Sequence, residues 1–146
     1  MDEQQYNPRL LLETTIESIA GNEQPAAEKV AAVVRPLGLA SERLANLKTA
    51  VAEAVMNAIE HGNHYQLDKV VTLRVLASQN TISVRVRDQG KGQPMPETIE
   101  APDLEAKLAG FQTPRGWGLF LMKSMVDQLH ITSGEGYNEV ELLLYR

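Results

Sequence analysis

The 146-residue chain has no cysteine. That excludes a disulfide scaffold and every zinc or iron–sulfur site built on thiolates, and it fits a reducing compartment. No apolar run approaches the ~20 residues needed to span a bilayer, so no membrane partner is expected. The opening MDEQQYNPRL has no basic stretch followed by an apolar one, so no signal peptide is expected and the cytoplasm is the expected location. Basic residues are in deficit, 14 Lys and Arg against 19 Asp and Glu, for a formal net charge of −5. Such a chain repels a phosphate backbone, which argues against a nucleic-acid partner but leaves room for a local pocket that takes a magnesium-neutralised anion. His61, His64 and His130 do not make a three-ligand zinc set. Neither a G-x-x-x-x-G-K-[ST] P-loop nor a Rossmann glycine fingerprint is present.

What is present reads as one globular domain over residues 1–146. The hydrophobic fraction of 43% and charged fraction of 23% are ordinary for a soluble fold, and the length suffices for a core without staples. Residues 9–18 begin apolar and then alternate, with Leu10, Leu12, Thr14 and Ile16 on one side, which predicts a strand. A helix is expected over 25–36, with Pro25 at its first position. A longer one starts at Ser41, a residue suited to capping, with Leu44, Leu47, Val51, Val55 and Ile59 at helical spacing and Gly62 placed to end it. Lys69–Leu76 and Thr81–Asp88 read as strands joined by a Ser78–Asn80 turn. Residues 89–114, rich in glycine and proline with a short helical stretch near 102–109, read as a long loop of the kind that forms functional lids. A helix over Leu119–Leu129 and a hairpin of strands near 130–133 and 138–145 follow. The order β, α, α, β, β, loop, α, β, β predicts a two-layer α/β sandwich: a mixed, mostly antiparallel sheet with helices on one face.

Three segments carry candidate chemistry. In EAVMNAIEHG (53–62), Glu53, Asn57 and His61 are four apart, so an α-helix places them on one face while Val51, Val55 and Ile59 occupy another. Glu53 offers a carboxylate base, and Asn57 a neutral carbonyl oxygen suited to a hard cation. In DQGKG (88–92), Asp88 can accept a hydrogen bond from an exocyclic amine, while Gly90 and Gly92 permit close approach of backbone to ligand. In RGWGLFLMKSMVD (115–127), Gly116 and Gly118 precede an apolar-periodic helix whose free N–H groups and dipole suit phosphate, with Arg115 adding charge. Each segment alone reads equally as a solvated helix face, a strand-ending turn or a flexible helix start.

Together, and in this order, they resemble the N, G1 and G2 boxes of the GHKL family of ATPases and kinases, whose ATP-binding domain has the Bergerat fold. The likeness covers about Leu10 to Arg146 and is strongest to the small anti-sigma-factor serine/threonine protein kinases, which carry a Glu-Ala-Val-x-Asn-Ala-x-x-His pattern. It implies ATP and Mg2+ as cofactors. It implies that Glu53 is the general base, Asn57 the magnesium ligand and Asp88 the carboxylate that reads the adenine amine. Gly90 and Gly92 would pass close to the nucleotide, Arg115, Gly116 and Gly118 would form the lid edge and phosphate-contacting helix start, and His61 would line the pocket. The implied partners are an anti-anti-sigma protein with a STAS domain and a sigma factor, with a homodimer as the assembly. The alternative is a non-catalytic ATP-binding module that governs partner choice. The sequence departs from the family in YNEVELLLYR, where Asn138 stands near the place of a Gly-Thr pair.

Overall fold

The computed structural model describes residues 7–90 and 114–146. Among the described residues, five strands and three helices follow in the order β1 (Arg9–Ile16), α1 (Glu23–Val34), α2 (Ser41–Asn57), β2 (Val71–Ala77), β3 (Thr81–Arg87), α3 (Pro114–Met125), β4 (Gln128–Gly134) and β5 (Tyr137–Tyr145). A 3-10 turn at Arg35–Leu37 follows α1, and a π turn at Ala58–Gly62 extends α2. The sheet order is β1-β2-β3-β5-β4, and all four pairings among the described residues are antiparallel. The expected α/β sandwich is therefore present, without a parallel pair in the described part. No helix among the described residues is long and apolar enough to cross a membrane.

The two layers follow from strand and helix periods meeting on one apolar face. Val71, Leu73 and Val75 of β2, Ile82, Val84 and Val86 of β3, and Val140, Leu142 and Leu144 of β5 are buried at alternating positions, the period-two pattern of a sheet covered on one side. Val30 and Val34 of α1, Leu47, Val51 and Val55 of α2, and Leu119 and Met122 of α3 close over them in the same core cluster. Truncating one such side chain to alanine costs about 2–5 kcal/mol. The uncovered sheet face is polar. Glu13, Arg74, Arg85, Glu141 and His130 stand in one row across the five strands. The two central arginines oppose each other, and each is offset by an acid on its outer side at 3.0 and 3.1 Å.

Several boundaries differ from expectation. Leu10 is exposed, because the β1–β2 register shifts between Leu10 and Leu12 and turns the strand's start off the core face. Helix α1 begins two residues early, so Pro25 is its third residue. That position is tolerated because first-turn N–H groups have no helical partner. Ser41 is not the cap: Ala40 holds the extended entry conformation, its carbonyl accepting from Leu44 N at 3.0 Å, and Ser41 is already helical. Gly62 does not stop α2. Asn63 N reaches back to Ala58 O at 2.8 Å, the five-residue bond of a π turn, and the left-handed residues that end the run are His64 and Tyr65. Helix α3 begins at Pro114 and ends at Met125, so Gly116 and Gly118 lie inside it, and Leu129 belongs to β4.

Candidate functional site

Two clusters form at successive positions along α2 and its π turn. The first is Glu53, Asn57 and Gly118. A Cβ added at Gly118 would stand 3.1 Å from Asn57 Nδ2 and 3.3 Å from Glu53 Oε2, so α3 approaches α2 at a separation that suits a residue without a side chain. This accounts for a glycine within a helix, where it costs roughly 1 kcal/mol relative to alanine. Asn57 is 7% exposed, and its Nδ2 is buried with no hydrogen-bond partner among the described residues. Burying such a donor unpaired costs about 1–3 kcal/mol. Glu53 is half-buried, and burial, then the nearby Glu23 carboxylate, push its carboxyl pKa above the ordinary value.

The second cluster is Asp88, Gly90, Gly62 and Asn138. Asp88 ends the β3–β5 ladder, its N–H donating to Asn138 O at 2.9 Å. Its carboxylate is 4% exposed. Oδ1 accepts from Gly90 N at 2.9 Å, Asn138 N at 3.0 Å and Asn138 Nδ2 at 3.4 Å. Oδ2 faces Gly62, where any Cβ would overlap the carboxylate. A Cβ on Gly90 would stand 2.5 Å from Gly62 O. The glycine expected to terminate a helix thus makes room for the acid that follows β3. Asn57 and Gly62 are five residues apart, so about 7 Å or less of helix axis separates the clusters.

Of the residues singled out in the sequence, Glu53, Asn57 and Gly118 are brought together, and Asp88 and Gly90 meet at the other cluster. Gly116 lies on the first turn of α3. Gly92 and the Arg115 side chain lie outside the described residues, as do the lid and its expected short helix. His61 is half-buried, 4.0 Å from Glu60 Oε2. Because the π turn adds a residue to the last turn, the four-residue spacing no longer stacks His61 on Asn57 as an α-helix would. Asn138 stands beside Asp88, so the departure from the family pattern falls within the site.

Sequence reasoning missed Asn63. It is fully buried, and its Oδ1 accepts from Gln89 N at 2.7 Å while its Nδ2 donates to Ser18 Oγ at 3.0 Å and Lys69 O at 3.2 Å. An asparagine just after a helix reads as a polar loop residue, and nothing in its neighbours signals burial.

A two-layer antiparallel α/β sandwich, with an Asn-bearing helix against a glycine of α3 and an Asp-x-Gly turn against the π turn that extends that helix, defines an ATP-binding domain of the GHKL type. The chain belongs to the histidine kinase-like ATPase domain family, whose model matches residues 18–144. It is 32% identical over 126 residues to an anti-sigma F factor of Thermoanaerobacter sp. (strain X514), with 86% of each chain covered. It is 30% identical over 128 residues to the anti-sigma F factor of Bacillus thuringiensis (strain Al Hakam), covering 82% of this chain and 81% of that one. Among solved structures, it superposes on a crystal structure of the RsbU and RsbW domains of a Mycobacterium tuberculosis protein with a TM-score of 0.62 at 21% identity. That match covers 91% of this chain and 31% of the other, and it bears on the fold alone.

Proposed function

We propose that this chain, one ATPase domain over residues 1–146, acts as a cytoplasmic serine/threonine protein kinase of the anti-sigma-factor kind. In this reading it transfers the γ-phosphoryl group of ATP to a serine of an anti-anti-sigma partner with a STAS domain, and it sequesters a sigma factor. The family and the anti-sigma F factor relatives support the nucleotide and the partner class. The observation that carries the reading is the orphaned Asn57 amide beside Glu53 and Gly118. A buried amide without a partner among the described residues, an oxygen-type donor and a cradle that a Cβ would narrow together fit a nucleotide phosphate with its magnesium. Magnesium, when bound, would neutralise phosphate charge.

In this account each residue has a physical task. Asp88 Oδ2 accepts from the exocyclic amine of adenine, while Oδ1 stays saturated by protein donors. Gly90 and Gly92 leave space for the base. Asn57 would hold the metal through its side-chain oxygen. Gly116, Gly118 and Arg115 receive the terminal phosphates, with His61 on the pocket wall. The acceptor oxygen attacks the γ-phosphorus, the bond to the bridging oxygen breaks, ADP leaves, and the hydroxyl proton passes to Glu53. Burial suits Glu53 to that step, because a carboxylate with a raised pKa is the stronger base. Phosphoryl transfer is largely positioning and charge neutralisation, which matches a site with little covalent machinery.

The test is incubation with Mg-ATP and purified STAS-domain proteins, followed by mapping of phosphoserine on the partner. Label from the wild type and none above background from Glu53→Gln is the expected result. Nucleotide binding without transfer to any partner would instead favour the non-catalytic module.

A further inference from the structure

Beyond Asp88 the chain leaves the sheet, and Gln89 is gripped from the side opposite β5. Its N–H donates to Asn63 Oδ1 at 2.7 Å, and its Oε1 accepts from Val70 N at 3.1 Å. Asn63 is itself fixed from three directions. Its own N–H closes the π turn onto Ala58 O at 2.8 Å. Its Nδ2 donates to Ser18 Oγ, just past β1, at 3.0 Å and to Lys69 O, on the approach to β2, at 3.2 Å. Ser18 Oγ donates to the same Lys69 carbonyl at 2.5 Å. Asn63 is 0% exposed and Ser18 1% exposed. Capping α2 requires only the backbone bond. The side chain instead ties Gln89, the residue after Asp88, to the π turn and to the chain just past β1 and just before β2, and Gly62, one residue earlier, is the wall from which a Cβ would drive into the Asp88 carboxylate.

We propose that Asn63 is a positioning residue for base selection, one that sets the place of the Asp88 carboxylate against the Gly62 wall without itself touching a ligand. The inference rests on the reading that Asp88 meets the nucleobase. Adenine presents an amine where guanine presents a carbonyl, so an acceptor held in one place favours the first and repels the second. An acceptor free to swing or retreat discriminates less. With Asn63 removed, Gln89 keeps, among the described residues, only its bond to Val70, and the Asp88–Gly90 turn is left with its bonds to Asn138 on the β5 side.

The test measures affinities of the full chain for Mg-ATP and Mg-GTP with Asn63→Leu, Asn63→Asp, Asp88→Asn and the double variant Asn63→Leu/Asp88→Asn. Asn63→Leu should lower the ATP-to-GTP affinity ratio by roughly 10-fold or more, the scale of direct coupling between neighbouring residues. Asn63→Asp keeps the acceptor for Gln89 N–H and should hold most of the ratio. Its added charge acts on both nucleotides alike. In the Asp88→Asn background, Asn63→Leu should leave the ratio within about 3-fold, because the two act through one carboxylate. A residue needed only for folding would weaken both nucleotides equally, leave the ratio intact and do so in either background; that result overturns the inference. If Asn63→Leu does not fold, Asn63→Asp decides, and loss of the ratio there overturns it. A wild type that binds ATP and GTP equally removes the Asp88 reading, and this inference with it. A wild type that prefers ATP while Asn63→Leu keeps the preference removes only the inference.

Discussion

The two clusters along α2 are finished to different degrees. Around Asp88, Oδ1 is saturated and the supporting Asn63 has both amide hydrogens and its carbonyl engaged. Around Asn57, a buried amide has no partner among the described residues, and the neighbouring Glu53 carboxylate is raised in pKa by burial. One end of the site is rigid before any ligand arrives, and the other holds unmet demand. In the proposed function this division has a purpose. Recognition of a base benefits from a prebuilt acceptor, whereas a phosphate-and-metal site keeps its polar groups free to meet charge that arrives with the ligand.

Substitutions can break or sharpen that contrast. The largest effect is expected from Glu53→Gln, which removes the proton acceptor: partner phosphorylation should fall roughly 10²–10⁴-fold with little change in nucleotide affinity. Thermal melting should show no loss of stability. The sign follows from the raised pKa. A carboxyl that binds its proton more tightly when folded is an ionised liability near neutrality, and the wild type regains stability relative to Glu53→Gln as pH falls through the raised value toward the ordinary one. The transfer rate should fall over that same window, above the usual carboxylate range.

At the finished end, Gly62→Ala drives a Cβ into a saturated, buried carboxylate. Overpacking of this kind costs about 1–3 kcal/mol, read as a lower melting temperature together with weaker ATP binding. Asp88→Asn keeps an oxygen for the three N–H donors but presents an amine to the base. ATP affinity should drop roughly 10–100-fold, the cost of one mismatched buried hydrogen bond, while GTP loses less. The smallest expected change sharpens the contrast most. Asn57→Leu removes an unpaired buried donor at similar volume, so the nucleotide-free protein should be as stable as the wild type or up to about 1–3 kcal/mol more stable. Asn63→Leu orphans Gln89 N–H and should destabilise. Equal losses from the two asparagine variants in chemical denaturation would erase the distinction between the clusters.

How far the sequence revealed these features depends on whether a side chain acts locally or across the fold. The α2 stripe of Leu47, Val51 and Val55, the Ser78–Asn80 turn and the strand alternation from Thr81 are local patterns, and they appear where expected. EAVMNAIEHG and DQGKG were legible as motifs through their joint resemblance to the family's boxes, since each alone reads equally as ordinary structure. What was hidden depends on another segment. The β1 bulge is set by pairing with β2. The early start of α3 is hidden by two glycines that read as a loop, and only the closeness of Asn57 and Glu53 explains the one at 118. The π turn has no residue signature, and it moves Gly62 from helix end to a place against the Asp88 carboxylate. Asn63 escaped notice because its partners are 6, 26 and 45 residues away in sequence.

The central claim is that both clusters serve one ligand. The most direct measurement is a 1H–15N titration of the full chain with Mg-ATP that follows the Asn57 side-chain amide and the Gly90 backbone amide together. The account predicts that both signals move with one dissociation constant, with the Asn57 amide shifting as it gains its missing partner. Movement of neither signal, or of one while the other stays still at saturation, would contradict it.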